Sequence, residues 1–264
     1  MTSARKRART YDPAKIRAAV LAQFGHVREG VRALDEERLA RPAGLGDWSV
    51  RELAAHMTMS LDVVSRQLGL PAPAARELAL LDWPFGTASR AGDIADGTRA
   101  VAAAHADLDA LYAAVGARVT EQLATAPDDR LLGVPAGAMT LADYLVTRTV
   151  ELVVHTDDLN RAAGTDIPFD RQALAACTRL LADTLAVKAP GASTEVRIPP
   201  YAVVQCVEGP RHTRGTPPNV VETDPLTWIR LATGRTEWKA ALEEAKVSAS
   251  GERADLGGLL PLMG

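Results

Sequence analysis

Residues 141–163 read LADYLVTRTVELVVHTDDLNRAA, and the fold turns on how this stretch is disposed as a helix. At about 100° per residue, Leu141, Leu145, Leu152 and Leu159 fall within about 40° of one another. Val146, Val150, Val153 and Val154 then carry apolar surface around most of the remaining circumference. A helix that is apolar nearly all round has to be covered on several sides, so it belongs at the centre of a bundle rather than on a surface.

The flanking sequence supplies the covering helices. Asp12-Pro13 offers an N-cap with proline at the first helical position, and Ile16, Val20, Phe24, Val27, Val31 and Leu34 recur at three- and four-residue steps toward Leu39. Arg41-Pro42 to Gly46 is a break. Ser49 and Glu52 form a capping-box pattern that opens a second stripe, Val50, Leu53, Met57, Leu61, Val64 and Leu68, stopped by Gly69 and Pro71. A third helix is expected from Asp93 to Thr125, with Pro127, Pro135 and Gly137 marking a turn region before the helix at 141. Four long helices with polar breaks predict a four-helix bundle over residues 12–165. The proline- and glycine-rich connection at 71–92 is long for a compact domain, which points to a site lining or a short helix of its own.

After Gly164 the pattern changes. A helix over Phe169–Val187 leads into β-type runs at Thr194–Ile198, Tyr201–Val207 and Asn219–Glu222. Asp224 caps a short helix carrying Pro225, Leu226, Trp228, Ile229 and Leu231, ended at Gly234. Thr236 starts another short helix, and Val247–Ser250 reads as a further strand. Residues 166–264 are therefore expected to form a separate, smaller α+β domain.

Composition bounds the function. With 264 residues, 47% of them hydrophobic and 24% charged, the chain can bury a sizeable core, which excludes wholesale disorder and a disulfide scaffold. A net charge of −3 gives no global field to draw nucleic acid or an anionic membrane. No apolar stretch reaches the roughly 18–20 residues of a membrane span. Residues 1–11 are expected to form a disordered basic tail; it leads into Tyr11-Asp12-Pro13 rather than an apolar segment, so it is not a secretory signal, and it lacks an aromatic platform for nucleic acid. Cys177 and Cys206 form no Cys-x-x-Cys pair; they read as packing residues and fit a reducing, cytoplasmic setting. There is no Walker loop, Rossmann glycine fingerprint or Gly-x-Ser-x-Gly elbow. His26 and His105 have no convincing partner, and His212 is expected in an exposed hairpin loop.

One constellation carries chemistry. Glu151 and His155, four apart, leave the same helix face at the edge of the buried stripe. His56, between Leu53 and Met57, points inward from the second helix. An inward carboxylate without a partner is costly, and two imidazoles with one carboxylate make a sufficient tripod for a divalent ion. The bland alternatives are an Arg148–Glu151 ion pair along the helix and a hydrogen-bonded core histidine at 56.

The segment Gly46-Asp47-Trp48-Ser49-Val50-Arg51-Glu52-Leu53-Ala54-Ala55-His56 resembles the second-helix motif of the mycothiol-dependent maleylpyruvate isomerase family, and Glu151-Leu152-Val153-Val154-His155-Thr156-Asp157-Asp158-Leu159 resembles its second motif. The resemblance implies a DinB-like four-helix bundle that holds zinc or another divalent metal through His56, Glu151 and His155, with mycothiol as thiol cosubstrate in an isomerisation or thiol transfer. Residues Asp224–Arg235 and Ser248–Leu256 are similar to bacterial sterol-carrier-protein-like domains, which implies a sheet covered by helices and, as the competing function, carriage of a lipid or other apolar small molecule. The substrate is expected to be a small molecule, apolar or a carboxylate. A carboxylate needs a cation, for which Arg235 is the foremost candidate and Arg148 the second, although either arginine also reads as structural.

Overall fold

The side chain of Asp12 accepts hydrogen bonds from the amides of Ala14 and Lys15, and Pro13 sits at the first turn, so α1 (Pro13–Arg32) begins where the sequence sets it. The computed structural model describes residues 9–86, 91–210 and 218–263. Helix α1 stops at Arg32, and Asp35 caps a separate single turn, α2 (Glu36–Leu39), so the helical reading that ran on to Leu39 is broken there. Ser49 and Glu52 close the expected capping box at the start of α3 (Val50–Leu68).

The single helix expected from 93 to 125 is two, α4 (Ala91–Ala104) and α5 (Leu108–Leu123). Asp107 makes the break: its side chain takes the amide of Ala110, starting a new helix in a run whose alanines favour helix throughout. The turn region at 127–140 holds a hairpin, β1 (Leu131–Val134) paired antiparallel with β2 (Gly137–Thr140). Thr140 then caps α6 (Leu141–Ala163), which Gly164 closes in the left-handed conformation.

Helices α1, α6, α3 and α5 form a closed ring, each packed on the next, with α4 against the outside of α3 and the hairpin against α3 and α6. Helix α6 is buried on nearly every side, from Leu141 and Leu145 through Val150, Val153 and Val154 to Leu159, which makes it the bundle's central helix.

The C-terminal part begins with α7 (Arg171–Lys188), capped by Asp170. Four strands, β3 (Thr194–Ile198), β4 (Ala202–Cys206), β5 (Val220–Thr223) and β6 (Val247–Ser250), lie in the order β4-β3-β5-β6, with the β3–β5 pair parallel and the others antiparallel. Val196, Ile198, Val204 and Cys206 turn to the inner face and are buried. Helix α7 packs on β4 and also on α1 and α6, and α8 (Pro225–Ala232) packs on α7 with the Trp228 indole donating to the carbonyl of Thr178. A short α9 (Trp238–Glu243) precedes β6. One apolar core therefore runs without interruption from α1 to the sheet.

Of the expected N-terminal tail, residues 1–8 lie outside the described residues, as does His212. Arg9 is held rather than free, since its guanidinium makes two hydrogen bonds to Asp183 on α7. Both cysteines are buried and unpaired. Among the described residues, no helix is long and apolar enough to cross a membrane.

Candidate metal centre

His56 comes from the second turn of α3, whose capping box holds the helix start, and Glu151 and His155 come from successive turns of the central helix. The three side chains converge: each offers a donor atom, and these atoms lie within 4.8 Å of one another. Glu151 Oε2 stands 3.5 Å from His155 Nε2 and 3.9 Å from His56 Nε2. The imidazole rings meet edge to face, centroids 5.0 Å apart. Ligands about 2.05 Å from a tetrahedral zinc are separated by about 3.3 Å, so a contraction of under an ångström to about 1.5 Å brings the three into range.

The outer nitrogen of each ring is engaged, which leaves Nε2 for the centre. His155 Nδ1 lies 3.0 Å from Asp158 Oδ2. The buried Asp158 in turn accepts from Arg235 Nη2 at 2.9 Å and from Arg161. His56 Nδ1 lies 3.2 Å from Thr98 Oγ1, whose hydroxyl is directed at the sulfur of Met59. With Thr98 donating to sulfur, its oxygen accepts from His56 Nδ1–H, which leaves the lone pair of Nε2 facing Glu151. Trp48 backs the His56 ring at 5.0 Å.

Burial pushes the Glu151 carboxyl up, but the facing imidazoles of His155 and His56 and the charge of Arg148 outweigh it and hold the group well below the ordinary carboxylate range. Burial also lowers His56, and this wins there. His155 is burdened by the same burial, yet Asp158 and Glu151 raise it above an ordinary histidine. An ionised carboxylate beside a neutral imidazole and a more basic one is a donor set that suits a divalent cation.

The centre opens onto a cavity of about 170 Å³ to which His56, Glu151 and Arg148 contribute, with Met59, Val63, Trp83, Ile94 and Tyr144 among its walls. Trp83 sits in a single 3₁₀ turn, Trp83–Gly86, within the connection at 71–92, so that segment does carry a short helix and does line the site. Val134, Pro135 and Ala136 of the hairpin close another side. Arg148 lies 3.7 Å from Glu151, so the ion pair considered from sequence exists alongside the three-residue cluster. Arg235 does not line this cavity; its guanidinium is spent on Asp158 and on the carbonyl of Thr233. His26 lies on α1, with Nδ1 at 3.2 Å from the carbonyl of Pro168, and His105 Nδ1 lies 2.9 Å from the carbonyl of Val101; neither belongs to the cluster. Asp158 was visible in the sequence as a carboxylate three residues after His155, the spacing at which helical side chains meet. Thr98 and Trp83 had no such local mark.

Two family models match the chain. The one described as the mycothiol maleylpyruvate isomerase N-terminal domain spans residues 5–160, and the one described as bacterial SCP ortholog spans residues 170–262. Among solved structures, the crystal structure of a mycothiol-dependent maleylpyruvate isomerase superposes with a TM-score of 0.58 at 17% identity, covering 93% of this chain and 95% of that one. A histidine-to-alanine mutant of that enzyme gives 0.57 at 16% identity with the same coverage. At these identities the likeness is one of fold. Among curated proteins, none matches the chain.

Proposed function

The chain belongs to the mycothiol maleylpyruvate isomerase N-terminal domain family, and from that premise we propose a cytoplasmic zinc-dependent enzyme that uses a low-molecular-weight thiol, mycothiol, in an isomerisation or thiol transfer on a small electrophilic substrate. The observation that carries this reading is the convergence of His56, Glu151 and His155 beside a cavity that His56 and Glu151 line.

A zinc ion held by His56, Glu151 and His155 would supply Lewis acidity, which favours the anionic form of a thiol that is ordinarily protonated at neutral pH with a pKa of about 8.5. The chain's own residues do the rest. Glu151 would bring negative charge that offsets the cation, and His56 and His155 would complete the donor set. Asp158 and Thr98 aim the two rings through their outer nitrogens. Met59, Val63, Trp83 and Ile94 give the space beside the ligands apolar walls. Arg235 acts as a positioning residue, holding the carboxylate that orients His155. Neither protein thiol competes for the role: burial raises Cys177, and it pushes Cys206 up to about 11.

The test is elemental analysis of purified full-length protein, with zinc expected at one equivalent. A His56→Ala/His155→Ala double variant is expected to lose it. Metal-free native protein that takes up none from solution would remove the reading.

The match of residues 170–262 to bacterial SCP ortholog favours a second reading, a carrier of a lipid or other apolar small molecule. Native mass spectrometry after gentle purification separates the two, since a carrier is expected to show a bound apolar ligand that survives chelation of metal.

A further inference from the structure

Among the described residues, Arg148 is the one buried arginine or lysine that lines the cavity. Its side chain is 8% exposed. The guanidinium carbon lies 4.4 Å from the ring centroid of Tyr144 and 5.7 Å from that of Trp83, so the planar head is held between aromatic faces. Its hydrogen bonds run from Nε and Nη2 to Thr147 Oγ1, at 3.1 and 3.0 Å. Nη2 approaches Glu151 only to 3.7 Å, beyond hydrogen-bonding range. Among the described residues no hydrogen bond engages Nη1, and Arg148 lines the cavity. The other arginine of the wall, Arg66, is 64% exposed and paired with Asp62 at 2.9 Å.

A guanidinium removed from water carries a large desolvation cost unless an anion answers it. Glu151 is the nearest anion. On the reading above, which this inference rests on, the charge of Glu151 is committed to the cation, and Arg148 is left facing an apolar space. We infer that Arg148 anchors the substrate by its carboxylate, and that the substrate class is a monocarboxylate with an apolar, unsaturated or aromatic body. A planar fork matches a carboxylate in two-point contact. Met59, Val63, Ile94 and Val134 suit a carbon skeleton, and among the described residues the walls hold no second buried arginine or lysine, so apart from the metal position nothing there answers a second carboxylate.

The probes are benzoate, its neutral isostere benzamide, and the dicarboxylate maleate, titrated calorimetrically into full-length protein, both zinc-loaded and chelator-treated, with zinc content measured on each sample. Benzoate is expected to bind at least tenfold more tightly than benzamide and than maleate in both preparations. Arg148→Gln is expected to lose at least tenfold in benzoate affinity while benzamide is unchanged; Arg148→Lys is expected to fall between, because the charge remains and the fork is lost. Equal affinity for benzoate and benzamide in the unaltered protein overturns the inference without need of a variant. So does a folded Arg148→Gln protein, checked by its melting curve, that keeps its benzoate affinity, since the metal alone would then be the anchor. Maleate binding as tightly as benzoate overturns the single-charge assignment. A protein that takes up no zinc yet discriminates through Arg148 sinks the metal reading and leaves this one standing, whereas zinc uptake without discrimination does the reverse.

Discussion

A buried aspartate outside the three-residue cluster sets the character of the candidate metal centre. Asp158 is fully shielded, accepts from Arg235 and Arg161 and faces His155 Nδ1. Burial pushes its carboxyl up, but His155 and Arg235 outweigh that and hold it far below the usual range. Replacing it by asparagine keeps the shape and removes the charge that makes His155 a strong donor. Asp158→Asn is expected to lower zinc affinity by about 10–100-fold, read by competition with a chromogenic chelator; an unchanged affinity would show that the aspartate serves packing alone. The thiols give a second residue-scale expectation. Cys177 and Cys206 are both at 0% exposure, so the native protein is expected to be inert to a disulfide reagent at neutral pH, and both thiols should react once it is unfolded in guanidinium. Periodic helices with a plain buried side marked His56, Glu151 and His155 as inward-facing, and the two motifs that resemble the isomerase family joined them into one ligand set. Thr98 and Trp83 were not legible, because what makes them matter is a contact with a residue far away in the chain, and neither periodicity nor spacing encodes it.

At the scale of elements, capping chemistry explains both the successes and the misses. The box at Ser49 and Glu52 and the caps at Asp12 and Asp224 are local hydrogen bonds, so the starts of α1, α3 and α8 could be read from a few residues. The break between α4 and α5 has the same kind of cap at Asp107, but surrounding alanines of high helix propensity hid it. The hairpin of β1 and β2 was hidden for another reason: its strands are four residues each, too short for alternation to stand out, and they owe their order to packing on α3 and α6. Ser49→Ala is expected to cost about 1 kcal/mol in urea unfolding. Asp224 gives a pH-dependent counterpart. Burial raises its carboxyl, but the hydroxyl and amide of Thr227 and the amide of Leu226 outweigh this and lower it. Its contribution to stability is therefore complete above the ordinary carboxylate range and fades as pH falls through the lowered folded-state value. Asp224→Ala should cost about 1 kcal/mol near neutrality and progressively less in acid, which urea midpoints across that range would check. Gly251, with φ +104° and the carbonyl of Pro218 only 2.1 Å from where a Cβ would stand, admits no side chain. Gly251→Ala is expected to lose about 2 kcal/mol or more.

For the molecule as a whole, the sequence suggests a seam near residue 165, where helical periodicity gives way to β-type runs. The side chains cross it. Gln23 of α1 donates to Thr156 and accepts from the amide of Asp170, and Arg230 of α8 makes two hydrogen bonds to Asp157 of α6 at 2.8 and 2.6 Å. Helix α7 has apolar contacts in both directions. Such sharing is invisible to pattern reading, because one amphipathic stripe does not say how many partners it serves. The expected outcome is a single calorimetric transition, with a Gln23→Ala/Arg230→Ala double variant lowering its midpoint without splitting it; two resolved transitions in the unaltered protein would show independent units.

The Asp158–Arg235 clasp has a consequence for anyone dissecting this chain. A fragment that stops with the bundle would retain all three donor side chains and still be a poorer host for the ion, since the clamp on its most basic imidazole arrives from more than seventy residues downstream. Metal affinity, where the proposed centre binds one, would thereby gauge whether the distant tail is seated.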